Sequence, residues 1–126
     1  MGIVHHANYL PWFEMARTEL CAARGVRYRD IEAHDRLLLT VVEAHLRYHA
    51  PARYDDEVID EARLSFSHPR MIGFAYEIRN AATSQLLVSG ETKHVFITPD
   101  GRSTRVPRKY FELFAIPASG GVPTGA

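Results

Sequence analysis

The stretch GIVHHANYLPWFEMARTE, Gly2 to Glu19, decides how the chain folds. From Asn8 to Arg24 it reads as one helix. Asn8 is placed to cap it by accepting from a free backbone N–H. Pro11 falls in the first turn, where backbone N–H groups lack partners anyway. Gly25 supplies the stop. Tyr9, Phe13, Ala16, Leu20 and Ala23 recur at spacings of four and three, which makes one apolar stripe. Trp12, Met15 and Ala22 widen it, leaving Glu14, Arg17 and Thr18 as the polar remainder. A helix apolar over most of its girth is expected inside something.

Beyond residues 26–35, a short helix or turn, the periodicity changes to two. Leu37, Leu39 and Val41 alternate, and Val42, Ala44, Leu46 and Tyr48 carry the alternation on, so a strand is expected over about 36–49. A second covers about 57–67, with Leu64 and Phe66 on one face. A turn at His68-Pro69-Arg70 leads to a third, where Ile72, Phe74, Tyr76 and Ile78 alternate. Asn80–Ser84 makes a turn, a fourth strand runs over about 86–98, and Pro99-Asp100-Gly101 turns again. A short helix is expected from Pro107 through Phe114. The order is α+β: one buried helix, then a meander of long antiparallel strands wrapped on it. So much sheet beside one helix calls for a dimer or larger assembly to cover it.

Composition excludes several functions. The chain has 126 residues, one domain's worth, with 15 basic and 15 acidic side chains. Balanced charge gives no support to phosphate-driven nucleic-acid binding. One cysteine, Cys21, rules out an intrachain disulfide and a cysteine-built zinc site. It also fits a reducing compartment. No apolar run reaches membrane-spanning length, and residues 1–10 lack a signal peptide's basic start and apolar core. The cytoplasm is the expected location, with no membrane insertion and no nucleic acid as partner.

Few residues are placed for chemistry. His45 and His49 have the spacing of a helical zinc pair but lie on a strand, where four residues span roughly 13 Å. No metal site is expected. Neither a G-x-S-x-G elbow nor a phosphate-binding glycine loop occurs. Cys21, late in the helix, reads as packing. His6, Ala7 and Asn8 lie at the helix start, where unpaired N–H groups and a partial positive charge polarise a carbonyl oxygen.

The opening segment resembles the hot-dog-fold acyl-CoA thioesterases, in the branch of the 4-hydroxybenzoyl-CoA and Tol-Pal-associated thioesterases. The match runs through Gly2, Ile3, Val4, His6 and Tyr9, then Glu14, Ala16, Arg17 and Glu19. A second match follows over residues 48–56, at Tyr48, Pro51, Ala52, Asp55 and Asp56. The resemblance implies an antiparallel sheet around a central helix, in a single hot-dog domain over 1–116, while the glycines and prolines of residues 117–126 predict a disordered tail. It implies homodimers or homotetramers with active sites between subunits. It further implies hydrolysis of a short-chain or aromatic acyl-CoA without metal or redox cofactor. His6 and Tyr9 match the catalytic region, with the His6 N–H aimed at the thioester carbonyl. Arg70, Met71 and Ile72 match the turn that contacts coenzyme A, and Arg105, Arg108 and Lys109 are further cations.

One departure matters. The family's catalytic Asp opens the motif at a position two residues before Met1, and the strand that precedes it is also missing here. An internal methionine taken as the start is one expectation, and the natural protein is then longer. A chain that truly starts here is the other, with slow or absent hydrolysis. Glu14 is expected to pair with Arg17 along the helix rather than act as a base. A non-catalytic hot-dog protein that binds acyl-CoA or acyl-carrier protein is the alternative function. A hot-dog dehydratase has no support, since its motif is not visible.

Overall fold

A computed structural model describes residues 9–53 and 55–117. Helix α1 spans Tyr9–Ala23. A one-turn helix α2, Tyr28–Asp30, runs into a π-helical turn, Ile31–Asp35. The strands are β1 (Leu38–Tyr48), β2 (Val58–His68), β3 (Met71–Asn80), β4 (Leu86–Ile97) and a two-residue β5 (Ser103–Thr104). They form one antiparallel sheet in the order β1-β4-β3-β2, with β5 on the end of β4.

Helix α1 stops where expected and for the expected reason. Gly25 takes φ +93°, and the N–H groups of Gly25 and Val26 cap the carbonyls of Ala22 and Cys21 at 2.9 and 3.0 Å. The helix buries Tyr9, Phe13, Ala16 and Cys21. Phe13 lies flat on the Tyr76 ring, with centroids 4.2 Å apart and planes 5° apart. Gly90 makes this approach possible: a Cβ there would sit 2.6 Å from Phe13 Cε2 and 2.8 Å from the His45 carbonyl oxygen.

The expectation of an enclosed helix is corrected. Met15 is 59% exposed and Leu10 45%. Among the described residues α1 packs on the sheet through β2 and β3, which leaves Leu10 and Met15 uncovered. Glu14 and Arg17 do not pair either. Arg17 turns inward and donates to the Tyr76 hydroxyl at 3.5 Å.

Strand β1 bears an irregularity between Val41 and Glu43. A bulge there shifts the side-chain alternation by one, as the step from the 37-39-41 set to the 42-44-46-48 set requires. A second irregularity, between Leu64 and Phe66, overturns their assignment to one face. Leu64 lies opposite Phe74 and Phe66 opposite Gly73, so the two point to opposite sides of the sheet. Gly73 accommodates this, because a Cβ there would meet Phe66 Cβ at 2.8 Å.

The expected C-terminal helix is only a 3-10 turn, Arg108–Tyr110, followed by further turns to Ala115 at φ +53°. The segment is held by side chains instead. Tyr110, Phe111, Leu113, Phe114 and Ile116 are buried, and Asp35 accepts from both Lys109 and Tyr110. The tail beyond residue 117 lies outside the described residues.

Candidate active site

His6 lies outside the described residues, and the site is built upward from Tyr9. This residue opens α1 and is 2% exposed. Its ring stands edge-on to Trp12 at 5.3 Å and tilts against Tyr48 at 5.6 Å. The Ala52 backbone hydrogen-bonds its hydroxyl, while burial pushes the phenol's pKa up. Tyr9 therefore joins the two sequence motifs. The first supplies the ring, and the second supplies the Tyr48 wall and the Ala52 anchor. The first turn of α1 carries no acidic side chain. The partial positive charge of the helix end is thus left for an oxygen that becomes negative.

Arg70 is exposed in the β2–β3 turn, where its N–H donates to His68 Nδ1 at 3.1 Å. The His68 ring stacks along Phe66 at 6.3 Å, and Lys93 Nζ lies 5.6 Å from the centre of the Phe66 ring. Met71 is half-buried, and Ile72 is wholly buried in the core. One chain does not bring this turn to Tyr9. Tyr9 packs on Tyr48, which lies opposite Val88, which lies opposite Ile78. Met71 is seven residues back along β3 from Ile78, roughly 23 Å away.

The other cations are occupied or remote. Lys109 pairs with Asp35, and Arg108 lies 5.9 Å from the Phe111 ring centre. Arg105 is exposed after β5. Cys21 is buried, hydrogen-bonds the Tyr28 hydroxyl at 3.5 Å, and has its thiol pKa raised by burial. It is protonated and packed, not a nucleophile. Among the described residues no group of three His, Cys, Asp or Glu side chains could hold a metal ion. No helix among them is long and apolar enough to cross a membrane. Sequence reasoning missed Tyr76, Thr92 and His94, which form a buried polar chain under α1. Thr92 and His94, on the alternate positions of β4 that Val88 and Phe96 also occupy, were its only signal.

A helix laid on one face of an antiparallel β1-β4-β3-β2 sheet defines a hot-dog fold. Comparison with known proteins agrees. The model of the thioesterase-like superfamily matches residues 1–117. The acyl-CoA thioester hydrolase YbgC of Escherichia coli O6:H1 is 30% identical over 98 residues, covering 78% of this chain and 72% of that protein. A crystal structure of the Thermus thermophilus protein TT1821 superposes with a TM-score of 0.83 at 30% identity, over 91% of this chain and 86% of that one. The DHNA-CoA thioesterase of Staphylococcus aureus superposes at 0.82 with 25% identity, over 90% and 75%. The chain belongs to the thioesterase-like superfamily.

Proposed function

We propose that the chain hydrolyses the thioester of short-chain or aromatic acyl-CoA, in the cytoplasm, as a homodimer or homotetramer. The observation that carries this reading is the start of α1. Tyr9 is locked there between Tyr48 and Ala52, and the first turn has no carboxylate to compete with an oxyanion. In the proposed reaction the His6 N–H receives the carbonyl oxygen, and the His6 imidazole takes a proton from water. The water oxygen bonds to the carbonyl carbon, the C–S bond breaks, and the thiolate of coenzyme A leaves and takes up the proton. A second copy supplies the Arg70–Ile72 turn to the coenzyme. The separation of Tyr9 from that turn within one chain supports this, as do the exposed apolar side chains of α1 and β1.

The test is release of free thiol from a panel of acyl-CoA thioesters. Short and aromatic acyl groups are expected to give the highest kcat/KM. His6→Ala is expected to lower kcat by about 100-fold or more. Arg70→Ala is expected to raise KM with kcat little changed. No release over the whole panel overturns the hydrolase reading. Binding without release supports the second reading, a non-catalytic acyl-CoA or acyl-carrier-protein binder.

A further inference from the structure

A chain of polar groups crosses the sheet beneath α1. Arg17 Nη1 donates to the Tyr76 hydroxyl at 3.5 Å. The Tyr76 and Thr92 hydroxyl oxygens are 2.5 Å apart, and Thr92 Oγ1 is 2.7 Å from His94 Nε2. Tyr76, Thr92 and His94 are buried, His94 completely.

The direction of this chain follows from its two ends. A guanidinium only donates, so the Tyr76 oxygen accepts from it. The Tyr76 O–H then donates to Thr92, and the Thr92 O–H donates to His94 Nε2. The imidazole proton therefore sits on Nδ1, which is buried with no partner among the described residues. The opposite direction is worse, because it leaves both the Tyr76 O–H and Nδ1 without partners. The fixed direction needs a neutral His94 with an open Nε2 lone pair.

We propose that this chain is an acid-labile fastener for α1: protonation of His94 reverses its last bond, the Arg17 end cannot accept the reversal, and the helix leaves its seat. A proton on Nε2 turns that nitrogen into a donor. Thr92 must then accept from it and redirect its own hydrogen to Tyr76. The Tyr76 O–H loses its acceptor, since Arg17 offers none.

Among the described residues no anion faces His94 to compensate. His94 faces Thr92 on its own strand, Ile72 and Phe74 on β3, Val41 on β1 and Arg17 from α1. Arg17 is the only charge in that set. Asp60 acts on Tyr76, at the other side of the chain, and is itself faced by Glu19. Burial, and then Arg17, hold the imidazole down to about 3. The unfolded chain takes its proton near 6.5. His94 therefore leaves stability intact above about pH 6.5. Below that it removes about tenfold from the folding equilibrium per pH unit, down to about pH 3. Asp60 has the opposite sign. Burial, and then Glu19, push its carboxyl up to about 7, so acid stabilises the fold through it. The raw slope mixes the two, and the readout must be a difference between variants.

His94→Gln keeps an acceptor for Thr92 and cannot charge. Denaturant unfolding of both proteins from pH 7.5 to 4.5 gives the ratio of their folding constants. That ratio, wild type over variant, is expected to fall about 50-fold between pH 6.5 and 4.5. A ratio that stays constant overturns the proposal. The wild type supplies two independent readouts should the variant not fold. Nitrogen NMR at pH 5.5 is expected to show a neutral His94 ring with its proton on Nδ1, and a charged ring in the folded protein overturns the proposal. Hydrogen exchange at pH 4.5, corrected for intrinsic rates, is expected to open the α1 amides before those of β3 and β4. Simultaneous opening of all three contradicts a fastener specific to the helix.

Discussion

One face of α1 lays Tyr9, Phe13, Ala16 and Cys21 on the sheet; the other turns Leu10 and Met15 to the outside. The residue types barely differ. What differs is the opposing surface. Under Phe13 lie the flat Tyr76 ring and the bare backbone of Gly90. Over Met15 the described residues place nothing that buries it. Apolarity in a sequence therefore measures how much surface wants cover. It does not say which element of which chain provides it.

The largest effect should come from the covered face. Phe13→Ala is expected to cost about 3–5 kcal/mol in urea unfolding, the range for emptying a large buried aromatic site. A loss under 1 kcal/mol would mean that the helix is not seated as described. Gly90→Ala comes next, at about 1–3 kcal/mol of overpacking. A Phe13→Leu partner substitution should recover part of that loss and no more. The added Cβ also meets the His45 carbonyl, which belongs to the backbone and cannot turn away. Full recovery in the double variant would contradict the close approach of the His45 carbonyl.

Asp60→Asn probes the β2 flank of the same seat. The Asp60 Oδ1 atom is buried with no hydrogen-bond partner among the described residues, and its carboxyl is pushed up to about 7. A carboxyl raised above its unfolded value favours folding below about pH 4. It loses that contribution as pH rises through 7. The asparagine variant should therefore be more stable than wild type at pH 8, by on the order of 1 kcal/mol. The gain should vanish toward pH 4, and a gain independent of pH would point to packing instead. The smallest effect is expected on the open face. Met15→Ala should change unfolding free energy by less than about 0.5 kcal/mol in the isolated chain. A larger change that also depends on protein concentration would locate a partner copy there.

Much of the layout was legible from local pattern. The C-terminal end of α1 and the expected strands agree with the structure to within one or two residues, because Gly25, Pro51 and the turn at residues 68–70 punctuate the chain, while the Asn8 cap lies outside the described residues. Even the β1 irregularity was written in the sequence, as a change of parity at Val41-Val42. The similar one in β2 was not. Leu64 and Phe66 keep regular spacing across it, and only pairing with Phe74 and Gly73 shows that they face apart. The site divides in the same way. The burial of Tyr9 was readable from its place on the apolar stripe of α1. The Arg17–Tyr76–Thr92–His94 chain was not, since it joins residues up to 77 positions apart through sheet register. Nor could spacing reveal that Tyr9 and the Arg70 turn lie at opposite ends of one chain's sheet.

The central claim is that substrate meets this fold at the start of α1. Hydrogen exchange of the 126-residue chain with and without a non-hydrolysable acyl-CoA analogue tests it directly. Protection is expected in peptides covering residues 6–12 and 48–53, where Tyr9, Tyr48 and Ala52 meet, and in the residue 68–72 turn. Protection confined to the groove formed by Arg24, Lys109 and Leu113, with the start of α1 unchanged, would contradict the account.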